Sequence, residues 1–145
     1  MIGIDTSFLV AWAIPEHPAH QECRRLAEEA ASDQRTFALT SGILAVVIHV
    51  VTDSRRFARP LEMEAASAMA RFWTNATEVR LLPQGQDVTR QWLDWLAEHR
   101  LGRKRLLDTL IAATWHVAGI RDVYTLNPND FTVFRKFTAY PQQPE

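Results

Sequence analysis

Hydrophobic residues occur along this chain in short β-branched runs separated by longer segments of helical periodicity. Short apolar runs predict four buried strands, at residues 2–4, 36–39, 79–82 and 123–126. Apolar residues at helical spacing predict helices at residues 8–12, 19–31, 43–52, 60–73 and 106–118, with one more around Trp92 and Trp95. Strands that alternate with helices predict an α/β fold. We expect a three-layer α/β/α sandwich with a central parallel sheet of four or five strands.

Residues that start and stop helices support this division. Asp5, Thr6 and Ser7 follow the first strand and are typical helix caps, and Gly119 is a typical helix end. In the helix around Trp92 and Trp95, the apolar side chains are expected to face the core; these are Trp92, Leu93, Trp95 and Leu96.

Length and composition restrict the organisation of the chain. Its 145 residues suit one domain, which we expect at residues 1–140, followed by a loose polar tail at residues 141–145. The formal net charge of -1 gives no overall attraction to nucleic acid, so phosphate binding would need a local cluster. Cys23 is the sole cysteine, which excludes an internal disulfide and a multi-thiolate metal site. No leader and no long apolar run is visible, so a cytoplasmic protein without a membrane span is expected.

Acidic and amide side chains follow the first and fourth predicted strands. Asp5 comes directly after the first strand, and Asn127 and Asp130 come after the fourth. Asp108 lies near the start of the helix that leads into the fourth strand. In a parallel α/β sheet these positions share one edge, where ligands bind.

Carboxylates that converge at such an edge repel each other, and a divalent cation removes the repulsion. Mg²⁺ or Mn²⁺ is the expected ion, held by Asp5 and Asp108, because such ions take one or two carboxylates and complete their shell with water. A bound ion of this kind can activate water and stabilise charge on a phosphoryl oxygen, which is the chemistry of phosphodiester hydrolysis.

Each of these residues also has an ordinary structural explanation. Asp5 and Ser7 suit helix capping, Asp108 suits the first turn of a helix, and Asn127 and Asp130 are common in turns. Only their joint placement favours a catalytic site over these separate explanations.

Three motifs resemble those of the PIN-domain ribonucleases, and most of all the VapC toxins of prokaryotic toxin–antitoxin pairs. The motifs read IDTSFL from Ile4, LDTLIAA from Leu107 and YTLNPNDF from Tyr124, and the resemblance extends from Met1 to about Phe137. It implies a PIN-like fold, a metal-dependent endoribonuclease, a homodimer and a VapB-type antitoxin as partner.

The resemblance also implies roles for single residues. Asp5 and Asp108 match metal-binding acids, and Ser7 matches a supporting hydroxyl. Asn127 stands where many relatives carry the last acid, with Asp130 as a nearby substitute. Val46 stands where relatives usually carry a glutamate. Because valine cannot bind a metal, the nuclease could be attenuated, either naturally or through an inactivating change, and the alternative is a catalytically silent module that binds RNA or an antitoxin.

Two clusters of basic residues are candidates for RNA contacts. Arg103, Lys104 and Arg105 precede Asp108, so we expect them to bind RNA phosphates. For the cluster of Arg55, Arg56 and Arg59, a solvated loop is the preferred interpretation. A phosphate-handling enzyme of another family would need a glycine-rich loop, which is not apparent in this sequence.

Overall fold

A five-stranded parallel sheet forms the centre of the protein in a computed structural model that describes residues 1–142. The strand order is β3-β2-β1-β4-β5. The strands are β1 Ile2–Ile4, β2 Phe37–Leu39, β3 Val79–Leu81, β4 Asp122–Tyr124 and β5 Thr138–Tyr140. The helices are α1 Thr6–Ala13, α2 His20–Ser32, α3 Ser41–Val51, α4 Met63–Asn75, α5 Gln86–Glu98, α6 Leu106–Val117 and α7 Asn129–Thr132, with a 3₁₀ turn at Arg103–Arg105.

The central strand β1 is apolar and completely buried, as its sequence predicts. Ile2 and Ile4 are both 0% exposed, and Gly3 pairs with Ala38 of β2 and Val123 of β4. All four pairings in the sheet are parallel. The carboxyl ends of the strands therefore lie at one edge, where the loops that follow β1 and β4 meet.

Helices cover both faces of the sheet. One buried cluster joins the sheet to α1, α2, α3 and α4, and a second cluster joins it to α5, α6 and the short α7. Trp115 of α6 packs so closely over Gly3 that any β-carbon there would lie 2.6 Å from its indole ring. The predicted three-layer α/β/α sandwich is confirmed, and its sheet has five strands.

Some local predictions are wrong. Leu93 was expected in the core, but it is 52% exposed because the buried face of α5 carries Val88 and Trp95 instead. The helix expected from Pro60 begins at Met63. Trp92 is half-buried, and its indole N–H donates to the carbonyl of Leu106 at 2.9 Å.

Strand β5 pairs with β4 at the edge of the sheet, and it had no separate strand prediction. Of the predicted polar tail, residues 143–145 lie outside the described part of the chain. None of the helices described has the length and apolar character that a membrane crossing requires.

Candidate active site

A cavity of about 690 Å³ opens at the carboxyl edge of the sheet, and we call it the aspartate groove. Its walls come from the loop after β1, from α3, from the start of α6 and from the loop after β4. The residues that line it are Asp5, Thr6, Ser7, Val10, His17, Val46, Val50, Arg56, Phe57, Leu107, Asp108, Ile111, Leu126, Asn127 and Asp130. The predicted acids, Ser7, Asn127 and Val46 therefore all reach one groove.

Asp5 is buried at the floor of the aspartate groove and is held by three hydrogen bonds. The backbone N–H of Thr6 donates to Oδ1 at 2.8 Å, so Asp5 does cap α1. The hydroxyls of Ser7 and Thr125 donate to Oδ2 at 2.9 and 2.7 Å. Oδ1 retains a second acceptor position for a ligand.

Burial is the main influence on the ionisation of Asp5. Loss of solvation raises the pKa of Asp5, the hydrogen bonds from Thr125, Ser7 and Thr6 lower it, and the charge of Asp130 raises it. The carboxylate is thus oriented by its neighbours while its charge remains costly.

The hydroxyls around Asp5 also connect the loop after β1 to the loop after β4. Ser7 Oγ accepts from the backbone N–H of Leu126 at 2.9 Å, and Thr125 Oγ1 accepts from that of Asn127 at 3.0 Å. Thr125 is 1% exposed. It was not among the candidates, because a threonine at the end of a strand is ordinary; its only signal was its position beside Asn127.

Asp108 lies in the first turn of α6 and is half-buried. Burial first, and then the charges of Asp130 and Asp5, raise its pKa to about 6, while the charge of Arg105 acts to lower it. The charge of Asp130 raises the pKa of both other aspartates, and the charge of Asp5 raises that of Asp108. The three carboxylates are therefore electrostatically coupled across the groove.

The aspartates do not form a complete ligand cage. Within residues 1–142, no group of three or more His, Cys, Asp or Glu side chains is arranged so that it could hold a metal ion. Val46, which is 39% exposed on α3, presents methyl groups to the same groove, and Asn127 presents an amide. The possible metal ligands are therefore the coupled carboxylates. Val46 and Asn127, which stand where relatives usually carry acids, have neutral side chains.

The three basic residues before Asp108 occupy different environments. Arg103 and Lys104 are exposed in the 3₁₀ turn and do not line the groove. Arg105 is partly buried, and its Nη2 donates to the backbone carbonyl of Asp130. Arg105 thus fixes the segment that carries Asp130, while Arg103 and Lys104 are available to solvent.

Part of the groove wall was not predicted from the sequence. His17 and Phe57 line it, and so does Arg56, which was interpreted as part of a solvated loop. Arg56 is exposed and lies 3.5 Å from a carboxylate oxygen of Asp53. His17 Nδ1 accepts from the backbone N–H of Ala19, and burial, followed by the charge of His20, lowers the pKa of His17. These loops gave no periodic signal that could have placed them at the groove.

Comparison with known proteins identifies a family and a similar solved structure. The sequence profile of the PIN domain family matches residues 2–136. VapC20 of Mycobacterium tuberculosis, a Sarcin-Ricin loop cleaving toxin, has a similar structure with a TM-score of 0.74. The two share 24% sequence identity, over 99% of this chain and 100% of that one, which establishes a common fold. No curated protein matches the chain by sequence.

Proposed function

This chain belongs to the PIN domain family, and we propose that it is a metal-dependent endoribonuclease that hydrolyses RNA phosphodiesters as the toxin of a toxin–antitoxin pair. The observation that carries the proposal is the convergence of Asp5, Asp108 and Asp130 on one groove at the carboxyl edge of the sheet. The family and the likeness to VapC20, a Sarcin-Ricin loop cleaving toxin, support RNA as the substrate class.

The chemistry of the groove suits Mg²⁺ or Mn²⁺. Its donors are carboxylate oxygens, and the repulsion that helps raise the pKa of Asp108 to about 6 is what a cation between them would relieve. Asp5 and Asp108 would hold the ion, with Asp130 beside them and water as the remaining ligands. When bound, the ion would supply an acidified water and Lewis-acid stabilisation of the phosphoryl oxygens.

The residues of the chain supply orientation and substrate contact. Ser7 and Thr125 hold the Asp5 carboxylate at a fixed angle, and Arg105 holds the backbone at Asp130. Arg103 and Lys104, exposed beside the start of α6, would bind phosphates of the RNA strand through charge. Such preorganisation matters because a carboxylate that is already oriented needs no rearrangement during the reaction.

Val46 favours an attenuated nuclease, and it also favours the second candidate function. With Val46 and Asn127 in the groove, two positions offer no carboxylate to a metal or a water. The second candidate is therefore a catalytically silent module that binds RNA or an antitoxin in the same groove.

The resemblance to VapC-type toxins supports the proposed partners and location. We propose a VapB-type antitoxin as the inhibitor, a homodimer as the assembly and the cytoplasm as the site of action.

RNA cleavage with added Mn²⁺ tests the proposed function. We expect slow cleavage by the unmodified protein, none by Asp108→Asn, and an increase of about tenfold or more for Val46→Glu, because supporting acids at metal sites commonly contribute factors of this size. Val117→Glu is a matched control, because Val117 is also 39% exposed but lies at the far end of α6.

The two candidate functions give different results. RNA binding without cleavage in both the unmodified protein and Val46→Glu would reject the nuclease and favour the silent module. Equal cleavage by Val46→Glu and Val117→Glu would reject the role assigned to position 46.

A further inference from the structure

A second cavity, of about 390 Å³, lies at the amino edge of the sheet, opposite the aspartate groove. We call it the basic cavity. Its walls are the end of α6 and the turns that precede β4 and β5. The lining residues are His116, Gly119, Ile120, Arg121, Arg135 and Lys136. Among the described residues, the lining thus contains three positive charges and a histidine, but no Asp or Glu.

Within the part of the chain that the structure describes, these positive charges are not used in ion pairs. The salt bridges among residues 1–142 involve Arg25, Arg35, Arg55 and Arg56, and none of them includes a residue of the basic cavity. The nearest acid along the chain, Asp122, is bound to Arg35 at 2.7 Å. Arg121, Arg135 and Lys136 therefore keep their charge available to a ligand.

The end of α6 does not need these cations as a cap. Gly119, at a φ of 76°, lets the chain reverse so that its own N–H donates to the carbonyl of His116 at 3.0 Å. The N–H of Ile120 donates to the carbonyl of Trp115 at 2.9 Å, and this pair of bonds is a complete Schellman cap. The usual explanation for cations beside a helix C-terminus, that they bind its last carbonyls, is thereby weakened.

His116 supplies a polar group of fixed position. Its ring packs against the indole of Trp95, with centroids 5.0 Å apart. Burial first, and then the charge of Lys136, lower the pKa of His116. The ring is therefore mainly neutral at pH 7 and can offer an N–H donor next to the three cations.

We propose that the basic cavity binds a phosphate group, supplied either by the backbone of an RNA strand or by a free nucleotide. Two guanidinium groups and an ammonium match the charge and the oxygen acceptors of a phosphate. Asp108 and His116 are eight positions apart on α6, about 12 Å along its axis. The basic cavity is thus a separate site, and an RNA strand that occupied both places would run along α6.

Binding measured in EDTA tests this site without requiring catalysis. The test variant is Arg121→Gln/Lys136→Gln. The control is Arg71→Gln/Arg90→Gln, which removes the same charge from exposed positions of α4 and α5. We expect the test variant to bind a short single-stranded RNA about tenfold more weakly than the control. The slope of its log affinity against log salt concentration should become shallower by the contribution of about two phosphate contacts.

A second arm uses inorganic phosphate and adenosine monophosphate, followed by NMR shifts of the amides of Gly119 and Ile120. If these amides shift in the unmodified protein but not in the test variant, and RNA affinity is unchanged, the result would support the site and identify a free phosphate as its ligand. If neither RNA nor small phosphates distinguish the test variant from the control, and thermal melts show both folded, the proposal is overturned. Absence of RNA cleavage would reject the proposed function but would leave this result unaffected.

Discussion

Asp5 is compatible with both interpretations that its sequence context left open. It caps α1 through the N–H of Thr6, and it also presents a carboxylate held by Ser7 and Thr125 to the groove. Capping uses only part of the acceptor capacity of a carboxylate. A structural role for this aspartate therefore does not argue against a catalytic one.

Asp108 should make the metal-free protein less stable as the pH rises. Its folded pKa of about 6 exceeds the ordinary value of 3.8, so the folded state holds more protons than the unfolded state between these values. Stability then falls as the pH rises through this window. After allowance for partial exposure, we expect Asp108→Asn to be more stable than the unmodified protein by about 1 kcal/mol at pH 8 in EDTA.

Urea unfolding at a series of pH values measures this effect. The two proteins should be equally stable near pH 3, where Asp108 is protonated in both the folded and unfolded states. Asp94→Asn, at an exposed site of α5, is the control and should follow the unmodified protein throughout. Parallel pH profiles for Asp108→Asn and the unmodified protein would contradict the raised pKa of Asp108.

The sequence could indicate these acids but not their complete surroundings. Asp5, Asp108 and Asp130 were recognisable because strand ends and helix starts of an α/β sheet share an edge. Thr125 and Arg56 were not, since the hydroxyl of Thr125 acts on a residue 120 positions away and Arg56 lies in an irregular loop. Contacts of that kind depend on tertiary structure, which local patterns do not encode.

At the scale of elements, the close approach of β1 and α6 explains a glycine in the central strand. A β-carbon on Gly3 would lie 2.6 Å from Cε2 and Nε1 of Trp115, a side chain that is 0% exposed and has no room to move. We expect Gly3→Ala to lower the free energy of unfolding by about 2 to 3 kcal/mol, the cost of overpacking a core.

Gly102→Ala is the matched control for Gly3→Ala. A β-carbon at Gly102 would meet nothing within 4 Å, and its φ of -95° suits any residue. We expect a change within about 0.5 kcal/mol there. Denaturant curves for both variants provide the comparison, and equal stability would mean that Trp115 does not pack over Gly3 as described.

The elements differ in how well the sequence predicts them. Ile2–Ile4 was recognisable because a fully buried strand is continuously apolar. Thr138–Tyr140 was not, because this edge strand is short and partly exposed and so carries little pattern. The position of Leu93 was predicted wrongly, because the five large apolar and aromatic side chains of α5 exceed what its buried face holds.

At the scale of the whole molecule, the formal net charge of -1 conceals a separation of charge. The aspartate groove is acidic, while the exposed 3₁₀ turn beside it carries Arg103 and Lys104. A phosphate backbone would be attracted to the turn and repelled by the metal-free groove, so binding should depend on local charge.

Charge reversal in the turn tests this arrangement. We expect Arg103→Glu/Lys104→Glu to weaken RNA binding by about tenfold or more. The slope of log affinity against log salt concentration should become shallower by the contribution of about two phosphate contacts. Arg71→Glu/Arg90→Glu provides an equal change of charge at exposed positions of α4 and α5. Filter binding across a salt series compares the pairs, and equal losses would show that the turn makes no specific contact.

The hydrogen bond from Thr125 to Asp5 spans 120 positions of the chain, and this affects the order of events during translation. Ribosomes add roughly 5–20 residues per second, so Asp5 leaves the ribosome several seconds before its partner. Until β4 follows, β1 lacks one neighbour and the groove lacks Asp130. A nascent or prematurely terminated chain thus contains the first aspartate without the site, and hydrolytic competence would arise only after β4 has been translated.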